Sequence, residues 1–98
     1  MEDDFDLDEV VWAKVSGFPW WPAFISSKSD KNQFEVVFLS DLTRSYLKKD
    51  KIRHFNEAPS SIHNRNKEFK TAYGMAKKIL NFDITLLEAL KEIKNNNF

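Results

Sequence analysis

From residue 10 to about residue 52 the chain alternates short apolar or aromatic runs with turn residues, which is the pattern of strands. The first run is Val10-Val11-Trp12-Ala13-Lys14-Val15, closed by Ser16-Gly17. A second begins at Pro22 and covers Ala23-Phe24-Ile25-Ser26, and the polar stretch 27–32 reads as a hairpin loop. Residues 33–39 are the clearest strand, with Phe34, Val36 and Phe38 on one face by the period of two. Residues 44–47 predict a fourth strand and 52–55 a short fifth strand or a turn. Several short strands in so few residues imply a small, strongly curved antiparallel sheet, because rolling it into a barrel removes exposed edges. After Pro59 the period changes. Phe69, Ala72, Tyr73, Ala76, Ile79 and Leu80 follow the three-and-four spacing of one buried helix face. Asn81-Phe82-Asp83 breaks that helix, Thr85 with Glu88 offers a capping box, and Leu86, Leu87, Leu90 and Ile93 form a second apolar stripe.

Length and composition narrow the class. Ninety-eight residues suit one domain, and 42 % hydrophobic content with 14 % aromatics favours a folded globule over a disordered segment. There is no cysteine, which excludes a disulfide framework and any thiolate metal site and suits a reducing compartment. No apolar stretch is long enough to span a membrane, and the first twenty residues lack the features of a secretory signal. The net charge of zero hides an asymmetry. Glu2, Asp3, Asp4, Asp6, Asp8 and Glu9 crowd the start, while the rest of the chain carries nine acids and all fifteen bases. An acidic tail over 1–9 and a basic body suit either a polyanion-binding surface or an ordinary solvated one. The domain is expected to span 10–93, with a barrel over about 10–56, a helical part over about 60–93 and a frayed end at 94–98.

Gly17-Phe18-Pro19-Trp20-Trp21-Pro22 cannot be an ordinary strand. Its two prolines remove donors and fix φ, and adjacent tryptophans on an extended backbone point to opposite sides. The segment predicts a stiff arch between the first two strands, with Gly17 free to take a positive φ. One aromatic can bury inward and another stand at a pocket edge, with Phe38 approaching from the central strand. On residue type alone, a place in the core is the simpler reading of Phe18 and Phe38.

The run from Val11 through Ala23, with the full Pro19-Trp20-Trp21-Pro22 tetrad, resembles the signature of PWWP domains. Val36-Val37-Phe38-Leu39-Ser40-Asp41 is similar to the family's strand that ends in an aromatic pair and Gly-Asp. The resemblance covers nearly the whole chain from Val10. It implies the Royal superfamily architecture: a five-stranded antiparallel SH3-like or Tudor-like barrel followed by a C-terminal helical bundle. It also implies a methyl-lysine cage of Phe18, Trp21 and Phe38, with Asp41 near its mouth as a peptide contact. Trp20 and Trp12 are assigned to packing, and Val15 to the cage floor, the pocket rim or the core. Ser40 and Leu39 depart from the family's glycine and second aromatic.

The resemblance implies nucleosomal DNA as a second partner, through Lys14, Lys48, Lys49, Lys51, Arg53, Lys77 and Lys78, although Ser16 stands where some DNA-binding members have lysine. The expected function is therefore nuclear reading of a methylated histone tail together with DNA, by a domain that is monomeric in isolation. The leading mark is histone H3 trimethylated at lysine 36, ahead of lysine 20 of histone H4 and lysine 79 of histone H3. Neither a cofactor nor a metal is expected. His54 and His63 are the only histidines, and neither a Gly-rich phosphate loop nor a convincing carboxylate pair is present, which argues against an enzyme. The alternatives are an SH3-like binder of proline-rich peptides and a PWWP domain whose cage is silent.

Overall fold

The computed structural model describes residues 5–29, 32–58 and 66–95. Five strands come first: β1 (Val10–Ala13), β2 (Trp21–Lys28), β3 (Gln33–Phe38), β4 (Arg44–Lys48) and β5 (Ile52–His54). Two helices follow, α1 (Lys67–Leu80) and α2 (Leu86–Asn95). All strand pairs are antiparallel, in the order β4-β3-β2-β1-β5. The two edge strands, β4 and β5, are joined only by the single 3-10 turn Lys49–Lys51. A three-residue link between opposite edges forces the sheet to roll up. Leu47 of β4 and Ile52 of β5 accordingly pack into the same interior cluster.

The period of two divides the apolar residues between two cores. Val11 and Ala13 of β1, Ala23 and Ile25 of β2, and Phe34 and Val36 of β3 fill the barrel. Val10, Phe24, Val37 and Leu39 face outward and are covered by Ala72, Met75 and Ala76 of α1 and Ala89 and Ile93 of α2. Trp12, on the outward face of β1 and fully buried, stacks on Phe55 at 4.6 Å, Tyr73 at 5.9 Å and Phe69 at 6.2 Å. Its indole N–H donates to the Phe55 carbonyl (3.0 Å), so a large ring is buried with its one donor satisfied. This aromatic stack fastens α1 to the barrel.

Strand β2 is longer than the sequence pattern suggests, running through Pro22 and on to Lys28. Pro22 sits opposite Trp12 and has no N–H to offer, but its carbonyl accepts the Leu39 N–H (3.2 Å). A register shift between Ile25 and Ser27 bends β2, and Ser26 donates to the side chain of Glu35 (2.7 Å).

Helix ends follow local chemistry. Asn66 caps α1 by accepting the Glu68 N–H (2.7 Å). The Thr85 hydroxyl accepts the Glu88 N–H (3.1 Å) while Glu88 accepts the Thr85 N–H (2.9 Å), the reciprocal box expected from the spacing. At the end of α1, Phe82 N–H bonds to Ile79 O and Asp83 N–H to Lys78 O, the Schellman pattern, with Phe82 at φ 63°. Leu87, expected in the apolar stripe of α2, is exposed; the buried positions are Ala89 and Ile93, with Leu86 and Leu90 half-buried beside them.

The expectation of an acidic tail through residue 9 fails from Phe5 onward. Phe5 is only 3 % exposed and belongs to the barrel interior, edge-on to Phe34. Asp8 N–H donates to Ile25 O and Ile25 N–H to Glu9 O, so the segment pairs with β2. Glu9 meets His54, whose ring lies 4.5 Å from that of Phe5. In the sequence, the charge of its neighbours masks this apolar residue. Of the end expected to fray over 94–98, Lys94 and Asn95 belong to α2; residues 96–98 and His63 lie outside the described residues. No helix among the described residues is long and apolar enough to cross a membrane.

Candidate functional site

The arch between β1 and β2 begins with a tight turn. Phe18 N–H donates to Val15 O (2.9 Å), and Gly17 at φ 87° fills the one position of a type II turn that needs positive φ. Lys14 reaches back over this turn, its Nζ donating to Phe18 O (2.5 Å) and lying 3.4 Å from Val15 O. Beyond the turn, Pro19 fixes the backbone and the half-buried Trp20 lies under the Arg53 guanidinium, 5.1 Å from its ring centroid. Trp20 thus belongs to arch packing.

Phe18, Trp21 and Phe38 line one cleft of about 870 Å³, together with Val15 and Asp41. The three rings reach it by different routes. Phe18 stands on the arch and is 64 % exposed, so it is no core residue. Trp21 opens β2, packs edge-on against Phe69 at 5.4 Å, and is half-buried. Its Nε1 is buried without an acceptor. Phe38 closes β3 and leans on the barrel interior. Leu39 faces the opposite side of the strand and is fully buried against the helical layer, so the loss of a second aromatic there is a packing change.

Asp41 shapes the loop as well as the cleft. Its Oδ1 accepts from Thr43 N–H (3.1 Å) and Thr43 Oγ1 (2.8 Å), holding the loop in which Leu42 takes φ 62°. The far wall comes from the helices, through Asn66, Glu68 and Thr71, with Met75 and Ile93 deeper. Sequence reasoning missed this wall. Those residues follow ordinary helix-start chemistry, and only the packing of α1 on β2 turns them toward the arch. Arg44 also lines the cleft, but its guanidinium pairs with Glu35 at 3.5 Å. The Ser26 hydroxyl, and then Arg44, hold the Glu35 carboxyl below its ordinary range despite partial desolvation. Three aromatic residues and two carboxylates, beside an arginine paired with Glu35, suit a cation.

The candidate phosphate-binding residues form a looser set. Pairing of β1 with β5, and the bond from Lys14 N–H to Lys51 O (2.9 Å), bring Lys14, Lys51 and Arg53 to one end of the barrel. Lys48 and Lys49 adjoin them at the β4 end and are exposed. Lys77 and Lys78 are exposed on the last turn of α1, where Lys77 Nζ lies 5.5 Å from the Tyr73 ring centroid.

A family model described as "PWWP domain" matches residues 8–96. Among curated proteins, mouse zinc finger CW-type PWWP domain protein 1 is 31 % identical over 90 residues, covering 90 % of this chain and 12 % of the relative. Human DNA mismatch repair protein Msh6 is 29 % identical over 80 residues, 70 % of this chain and 6 % of the relative. PWWP domain-containing protein 5 of Arabidopsis thaliana is 29 % identical over 84 residues, 74 % of this chain and 13 % of the relative. The chain thus spans only a small fraction of each relative's length.

Proposed function

The chain belongs to the PWWP domain family, and from that premise we propose that it is a non-enzymatic chromatin reader, acting in the nucleus, that takes a methylated histone lysine between Phe18, Trp21 and Phe38 and nucleosomal DNA on its basic flank. The observation that carries the reading is the convergence of these three rings, from the arch, the start of β2 and the end of β3, on one cleft. A trimethylated ammonium keeps its charge but has no N–H to donate. Aromatic faces give it negative quadrupole potential and apolar contact, each worth about 0.5–2 kcal/mol according to desolvation. Between the ring faces themselves, unmodified lysine would lose its water and find no acceptor. Asp41 at the cleft supplies long-range attraction and contacts the peptide. Among marks, histone H3 trimethylated at lysine 36 is the first candidate, on the family resemblance.

DNA would be held by phosphate contacts from Lys48, Lys49, Lys51 and Arg53 at one end of the barrel, with Lys14 beside them, and from Lys77 and Lys78 on the last turn of α1. Such contacts ignore sequence and weaken steeply with salt. Two weak sites on one nucleosome raise each other's effective concentration, by about 10²-fold or more.

Titration of trimethylated and unmodified histone peptides into wild type and Phe18→Ala tests the pocket. Phe18 is the residue to change, because Trp21 also packs against the helical layer and its removal would damage the fold. The expected result is binding that requires methylation and is lost in Phe18→Ala at unchanged thermal midpoint. Equal affinity for both peptides would refute the reader. DNA binding that survives Lys48→Ala, Lys49→Ala and Lys51→Ala combined, with an unaltered salt slope, would remove those lysines from the DNA surface.

A further inference from the structure

We propose that Lys14 is a positioning residue for the pocket: its ammonium clamps the turn from Val15 to Phe18 and so fixes where the Phe18 ring stands. This rests on the reading of the cleft as a methylammonium site. Phe18 takes part in neither apolar core and is largely exposed, so little but the backbone holds its ring in place. That backbone is stiff on one side only. Pro19 restricts Phe18 itself to extended conformations, whereas Gly17, at φ 87°, has nothing within 4 Å of where a Cβ would be and is free to adopt other basins. The loose joint is therefore Ser16-Gly17, and the Lys14 ammonium spans it.

Nζ bonds to the carbonyl of Phe18 and approaches that of Val15, the two ends of the turn. The root of the side chain is fixed in turn, since Lys14 N–H is bonded to Lys51 O on the neighbouring chain segment (2.9 Å). A second cation braces the same arch further along, where Arg53 covers the Trp20 ring. Carbonyl oxygens also offset the positive charge of Lys14 beside a pocket meant for another cation. On this assignment Lys14 acts on the peptide site through Phe18, and its ammonium is engaged before any phosphate arrives.

The test compares Lys14→Met, which keeps the apolar stem and loses the ammonium, with Lys14→Arg, which keeps a charged donor. Without DNA, amide–water exchange at Phe18 is followed by NMR, and trimethylated peptide affinity by titration. Lys14→Met should speed Phe18 exchange and weaken peptide binding, each by about threefold to tenfold, at an unchanged denaturation midpoint. Lys14→Arg should restore both. Unchanged Phe18 exchange in Lys14→Met overturns the proposal, even if peptide binding falls, because Lys14 would then touch the peptide itself. Should wild type fail to prefer the methylated peptide, the pocket reading falls, while the exchange measurement still decides whether the clamp exists.

Discussion

Phe82 holds a backbone conformation that glycine usually takes. It sits in the left-handed region at the end of α1, and its ring is 92 % exposed, so packing returns little for the conformation. An L-residue there costs about 1–2 kcal/mol, and glycine would recover part of this after its own larger loss of chain entropy. Phe82→Gly is therefore expected to raise stability by up to about 1 kcal/mol in urea denaturation; a fall would mean that the ring makes contacts that matter. The sequence announced a break at Asn81-Phe82-Asp83 but not its geometry, since phenylalanine is an unusual residue for that cap. A similar boundary runs through the cleft. The types and spacing of Phe18, Trp21 and Phe38 were legible, whereas their exposure was not, because it depends on which ring α1 covers. Lys14 was legible as a cation, but its partner is set by how the next four residues turn.

Elements whose signals are local are legible in the sequence. The capping box of α2 needs only Thr85 and Glu88 three residues apart, and both of its bonds are made. Thr85→Ala is expected to lower stability by about 1 kcal/mol, with helical circular dichroism lost first from α2; an unchanged denaturation midpoint would show the cap to be dispensable. Signals that depend on neighbours are less legible. Leu87 looked like a stripe residue because leucine recurs around it, yet α2 buries the face of Ala89 and Ile93. Across β2, β3 and β4, Glu35 links Ser26, Ser27 and Arg44. Its folded pKa is lowered from 4.5, chiefly by the Ser26 hydroxyl. The unfolded chain then binds the proton more readily, so this contribution is full above pH 4.5 and vanishes as pH falls through the lower folded value. Measured against Glu35→Gln, wild type should hold its largest advantage above that pH and lose it in acid. An advantage that grows in acid would reverse the assignment.

At the scale of the molecule, strand count, helix count and their order were legible from periodicity, but the N-terminal boundary was not. Phe5 lies among charged residues that mask it in the sequence, while the closed barrel makes a place for one more ring between Phe34 and His54. Phe5→Ala is expected to cost about 3–5 kcal/mol, a large share of a small domain's stability of about 5–15 kcal/mol. A denaturation midpoint close to wild type would mean that the barrel end tolerates its absence. The link from β4 to β5 across the sheet's two edges also bears on the order of events in folding. β1, β2, β3 and β4 are chain neighbours and can pair over short loops, whereas β5 must find β1, and Phe55 must find Trp12 at a separation of 43 residues. Loop-closure entropy delays such distant pairings until local hairpins have shortened the effective search. The seam between β1 and β5 is thus expected to be the last to lock, and the contact that completes the barrel is also where unfolding should begin.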